Sequence, residues 1–312
     1  SMSVGKEFLA GAGTQTAGLA FGGVATGGPL TAATEEFSSG VSPYAAWSTG
    51  GVMGSGRYKL AGCGTQTAGL AFGGYVVSVT NATEEYNGSA WTAGGNMATA
   101  RRLLAGAGTQ TAGLGFGGGT PTITNATEEY DGSAWTAGGN LGTARYLIAG
   151  AGTQTAGLGF GGYPGASAAG TEEYDGSAWT AGGSLGTGRQ GLAGAGTQTA
   201  GLAFGGTPSG TATEEYNGSS WTAGGAMNTG RSNIGAAGIQ TAALGFGGYI
   251  GPVTAATEKY DGTSWTTISS MSTARRYLGG AGTQAAALGF GGTPSGTATE
   301  EYNEFGPSTA TI

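Results

Sequence analysis

The chain has 312 residues, 71 of them glycine, with 9% charged residues and a net charge of −7. That balance argues against nucleic acid, whose phosphates demand a basic face, and no run approaches the roughly 18 consecutive apolar residues of a membrane span. No histidine is present, which removes Ser-His-Asp and Cys-His machinery and the usual metal ligands, so neither a metal nor a cofactor is expected.

Glycine at this level without a period would read as low complexity. Here it recurs in register with Leu, Phe, Tyr and Trp. Seven copies of one pattern place their Phe at Phe21, Phe72, Phe116, Phe160, Phe204, Phe246 and Phe290, at spacings of 51, 44, 44, 44, 42 and 44 residues. A fixed period in this range marks a repeat architecture, in which each unit buries its apolar face against its neighbours. One cooperative domain over 1–312 is expected.

The copy at 101–140 shows the elements in order. Leu103 to Gly108 reads as a short first strand, and Thr109-Gln110-Thr111 as a turn. Ala112 to Phe116 reads as a second strand, stopped by Gly117-Gly118. After a variable loop, Thr127 to Tyr130 is a third strand. Asp131-Gly132 then signals a tight hairpin, and Trp135 opens a fourth strand that ends at Gly138-Gly139. Leu141-x-x-x-Arg145 leads into the next copy. Four short antiparallel strands repeated radially make a β-propeller blade. The expected fold is all-β: a seven-bladed β-propeller with four antiparallel strands per blade. The two termini are in phase. The last copy carries Glu304-Phe305-Gly306-Pro307 where others have Gly-Ser-Ala-Trp, so Ser308 to Ile312, or the N-terminal residues, are expected to supply its outer strand.

The paired Gly after an apolar strand, the downstream Tyr and Trp, and the M-x-x-x-R segment (in one copy Gly117, Gly118, Tyr130, Trp135, Leu141 and Arg145) resemble the kelch-repeat family of β-propellers. The likeness covers essentially the whole chain. The hairpin departs from it: Asp131 to Ala134 leave four residues between Tyr and Trp, where kelch repeats usually have about six. Gly-rich, near-identical arrays of this kind look like those of phage and bacterial surface proteins. The resemblance implies an extracellular or virion-surface location.

Paired glutamates recur (Glu35-Glu36, Glu84-Glu85, Glu128-Glu129, Glu172-Glu173, Glu214-Glu215, Glu300-Glu301), with Glu258-Lys259 in the sixth copy. Adjacent strand residues point to opposite faces, so a pair cannot share one substrate as a glycosidase would need. The first Glu of each pair recurs with an Arg and is read as its structural partner. The recurring Gln (Gln66, Gln110 and equivalents) is read as bonding a turn. Cys63 stands in an alanine slot and reads as a small core residue, not a nucleophile.

The copies differ mainly in two places. One is the loop after the second strand: 24–33, 75–82, 119–126, 163–170, 207–212, 249–256 and 293–298. The other directly follows the Arg: Tyr58, Arg102, Tyr146, Gln190, Ser232 and Arg276. Alternate connections of an up-and-down blade share a face, and loop variation on one face is the usual layout of a binding surface. The candidate ligand-binding residues are Tyr75, Tyr163, Tyr249, Arg102, Tyr146 and Arg276, aromatic and guanidinium anchors. The expected activity is non-enzymatic binding of a glycan or protein ligand by a monomeric domain. A purely structural spacer or a carboxylate-based polysaccharide hydrolase or lyase are the alternatives.

Overall fold

A computed structural model describes residues 45–166 and 168–304, together with the strands Lys6–Glu7, Ala10–Gly13, Ala17–Phe21, Val24–Ala25 and Thr34–Ser38. The chain divides into two units: Ala46–Asn303, and Ser1–Ala45 with Glu304–Ile312. The larger is a β-propeller of six four-stranded blades, not seven.

Blades I to V are contiguous in sequence. Blade I is Ala61–Gly64, Gly69–Phe72, Thr83–Tyr86 and Trp91–Ala93. Blade II is Ala105–Thr109, Ala112–Phe116, Thr127–Tyr130 and Trp135–Ala137. Blades III, IV and V start at Ala149–Gly152, Ala193–Gly196 and Gly235–Ile239. In blade VI, Gly279–Gly282, Ala286–Phe290 and Thr299–Asn303 take their fourth strand from Ala46–Thr49, with Tyr302 opposite Trp47. The first copy thus donates its Trp strand across the seam. Its other strands, Ala10–Gly13, Ala17–Phe21 and Thr34–Ser38, form a separate three-stranded sheet in the smaller unit. Seven copies therefore make six blades. The expected closing segment Ser308 to Ile312 lies outside the described residues.

The strands follow the local reading of 101–140 closely, apart from the first, which starts two residues later, at Ala105. The hairpin is a four-residue turn between Tyr130 and Trp135. Asp131 N–H donates to Ala134 O at 3.1 Å, and Asp131 Oδ1 accepts from the amides of Ser133 and Ala134. Those amides, Ala134's first, hold the Asp131 carboxyl below its ordinary pKa.

Each junction between blades repeats one apolar set. The Phe ending each second strand packs on the Trp of the next blade, with ring centroids 4.7–5.0 Å apart at all six junctions. Each Trp Nε1–H donates to the Thr opening the preceding blade's third strand; Trp135 reaches Thr83 Oγ1 at 2.9 Å, and Trp47 reaches Thr257 Oγ1 at 3.1 Å. A Trp buried this way keeps its polar tip satisfied. The backbones approach so closely that a Cβ on Gly139 would run into the carbonyl of Ser177 in the next blade.

Candidate functional site

The repeated polar residues are consumed by the framework. Each blade carries a buried ion pair between the Arg leading into it and the first Glu of its third strand: Arg57–Glu84, Arg101–Glu128, Arg145–Glu172, Arg189–Glu214, Arg231–Glu258 and Arg275–Glu300, at 2.7–3.0 Å. Arg101 also donates from Nη1 to the carbonyls of Gly117 and Ala126, at 3.0 and 2.7 Å. Glu128 Oε2 accepts the amide of Ala98 at 2.6 Å. The pair pins the connecting segment to the blade it enters. Burial pulls the Arg101 guanidinium below its ordinary pKa, and Glu128 opposes that shift.

The second Glu faces the opposite way and serves the next blade. Tyr86 Oη donates to Glu301 at 2.6 Å, and Tyr130, Tyr174, Tyr216 and Tyr260 donate to Glu85, Glu129, Glu173 and Glu215. Burial, with these hydrogen bonds, pushes the five phenols up to about 12. The recurring Gln is structural as read, but it crosses between blades instead of closing its own turn. Gln110 Nε2 donates to the carbonyls of Gly69 and Tyr86, at 3.0 and 2.7 Å. Burial raises the Cys63 thiol to about 12, so it carries almost no thiolate near neutrality. Among the described residues no group of three or more His, Cys, Asp or Glu converges to hold a metal.

The innermost strands line a central cavity of about 150 Å³. Its mouth is a closed ring of six backbone hydrogen bonds. Lys59 N–H donates to Tyr277 O, Leu103 to Lys59, Leu147 to Leu103, Gly191 to Leu147, Asn233 to Gly191 and Tyr277 to Asn233, at 2.7–3.1 Å. All six residues adopt left-handed backbone, with φ of 54–61°. Five are not glycine, so the ring holds them against the steric preference of L-residues. The conformation turns the residue before each of them outward onto the variable loop. There the predicted residues lie: Tyr58 bridges to Tyr75, Arg102 to Gly119, Tyr146 to Tyr163, Gln190 to Thr207, Ser232 to Tyr249 and Arg276 to Thr293.

The six candidates form three pairs. Arg102 stacks over Tyr75, with its guanidinium carbon 5.2 Å from the ring centroid. Arg276 lies over Tyr249 at 4.6 Å. The Tyr146 and Tyr163 rings are 5.5 Å apart. Tyr75, Tyr163 and Tyr249 do not touch one another through any of these contacts. What joins two of the pairs is a set of residues outside the candidate list. Arg276 also lies 5.4 Å from the Tyr277 ring. Lys59 Nζ is 5.3 Å from Tyr277 and 5.1 Å from Tyr58, and the Tyr58 and Tyr75 rings meet edge-on at 5.5 Å. The result is one arc: Tyr249, Arg276, Tyr277, Lys59, Tyr58, Tyr75, Arg102. Lys59 and Tyr277 were legible as departures from Leu103 and Leu147 at the same repeat position.

Beside this arc, Lys59, Arg102 and Tyr146 line a cavity of about 240 Å³ over Leu103, Pro121 and Ile123. Burial first, then the charges of Arg102 and Arg276, hold the Lys59 ammonium below its ordinary pKa. No protein-family model matches this chain, and no curated protein matches it.

Proposed function

We propose that the propeller is a non-enzymatic recognition module of kelch-like type, displayed outside the cell or on a virion, that binds a glycan or protein ligand through its variable-loop face. One observation carries this reading. The side chains common to the copies are spent on ion pairs and hydrogen bonds within the ring, whereas residues that differ between copies supply an aromatic and cationic arc from Tyr249 to Arg102 and a separate Tyr146–Tyr163 pair. Aromatic rings and arginines are the side chains that most often anchor interfaces. The glutamates that a hydrolase would need are tied up, Glu128 by Arg101 and Glu129 by Tyr174. The test is a glycan-array and surface-protein binding screen on the intact protein, beside a variant carrying Tyr75→Ser, Tyr163→Ser and Tyr249→Ser. Specific binding lost in a variant that still folds supports a recognition face. No binding by the folded parent returns the loops to neutral variation.

A further inference from the structure

Three cations on this face lack the partners that every ring-entering arginine has. Lys59, Arg102 and Arg276 are held only by tyrosine rings among the described residues. The Nε of Arg276 is buried without a hydrogen-bond partner, as is that of each ring-entering arginine, so the difference lies in the missing carboxylate. The shortage of carboxylates is built into the sequence. None of the six variable loops of the ring, 75–82, 119–126, 163–170, 207–212, 249–256 and 293–298, contains Asp or Glu, and neither do the six positions after the buried arginines. The hairpin aspartates, Asp131, Asp175 and Asp261, lie on the Tyr-to-Trp turns at the opposite end of the strands. A chain of net charge −7 thus gathers positive charge at one end of the ring. Exposed charges beyond about 8 Å are largely screened at physiological salt, so the hairpin aspartates do not cancel this patch.

Resting on the recognition reading above, we propose that the cavity bounded by Lys59, Arg102 and Tyr146 binds an acidic sugar residue of a glycan, its carboxylate or sulfate group addressed by the two cations. The arginine offers planar paired donors suited to such an oxyanion. Leu103, Pro121 and Ile123 offer an apolar floor for the C–H face of a pyranose, and Tyr146 is braced by Tyr163. The cavity of about 240 Å³ suits one sugar residue, not a wide polymer groove. A nucleic-acid strand is disfavoured, because it would need a basic track following successive phosphates, and among the described residues these cations come from the segments entering blades VI, I and II.

The test is calorimetric titration of the full chain with a panel of uronate-, sialate- and sulfate-bearing oligosaccharides. Each is paired with its methyl-esterified or desulfated counterpart. Arg102→Gln, Lys59→Gln and Tyr146→Ser are measured alongside, each checked for the parent's melting midpoint. The acidic form of at least one pair should bind, weakening as salt rises. Its neutral counterpart, and the Arg102→Gln protein, should bind about tenfold more weakly or worse, as loss of a hydrogen bond to a charged group implies. Equal binding of acidic and neutral forms, or binding indifferent to both Arg102→Gln and Lys59→Gln, overturns the acidic-sugar site. If that binding is still lost with the three Tyr→Ser changes, the recognition face stands without it. Binding of a nucleic acid and no sugar overturns the proposal, and absence of any glycan or protein binding removes the face as well.

Discussion

The amide of Lys59 donates to the carbonyl of Tyr277 at 2.9 Å, and this one bond joins the segment entering blade I to the segment entering blade VI. It completes a cycle in which every donor's own carbonyl accepts from the next. A cycle has no spare position, so a seventh blade would have to break two of its members apart. The blade number is therefore written into the backbone near the axis as well as into the side chains between blades.

Five L-residues sit at positive φ in that ring, and Gly191 shows what the site prefers. Replacing Leu147 by Gly should alter stability by no more than about 1 kcal/mol, because relief of left-handed strain of about 1–2 kcal/mol offsets the loss of a half-buried side chain and the greater freedom of Gly in the unfolded chain. Leu147→Val should be worse than Leu147→Gly, since a β-branched residue tolerates this conformation least. Denaturant melts of the two variants check the order, which is the reverse of that expected at an ordinary apolar position.

Trp47 predicts where the ring can be cut. It packs on Phe246 at 4.9 Å, donates to Thr257 and lies opposite Tyr302. A chain starting at residue 45 retains all six blades and should melt cooperatively. One starting at residue 50 lacks the closing strand and exposes Thr299–Asn303 as a free edge; it should unfold well below the first or associate. Trp47→Ala in the full chain should cost about 2–4 kcal/mol, at or below the range for fully buried Trp because the ring is half-buried.

The strands, the Tyr–Trp hairpin and the Arg–Glu pairing were legible because they rest on residues close in sequence and repeated in every copy. The blade count was not, because counting copies says nothing about which copy lends a strand to which. One local clue existed. Nine residues separate Phe37 from Trp47, whereas four separate Tyr86 from Trp91, too many for the tight hairpin that keeps the fourth strand on its own blade. The candidate surface was legible as six residues but not as an arc. Its links, Lys59 and Tyr277, occupy left-handed ring positions whose approach to one another is set by closure across the seam.

The Arg101–Glu128 pair should behave as a unit. Glu128→Gln leaves a buried guanidinium without its anion and should destabilise by about 3–5 kcal/mol. Arg101→Met should cost a similar amount, since Glu128 would then keep only the Ala98 amide. If the two changes together cost much less than their sum, the coupling is the pair's own. Chemical denaturation of the two single variants and the double one completes the cycle. Additive losses would mean that Arg101 acts through the Gly117 and Ala126 carbonyls, not through its charge partner.

The interblade tyrosines set an alkaline limit. Tyr86, Tyr130, Tyr174, Tyr216 and Tyr260 titrate from about 10 in the unfolded chain to about 12 in the ring. A folded pKa above the unfolded one means that the native state holds the proton more tightly. The stabilisation is fully present below pH 10 and is lost as pH rises towards 12. Stability should thus fall steeply across that window, with phenolate absorbance of these five appearing together with the unfolding transition. Tyr130→Phe removes one such group along with its bond to Glu85. It should lower stability at neutral pH and make the alkaline slope shallower by one proton's share. A slope unchanged by Tyr130→Phe would mean that this phenol ionises without feeling the fold.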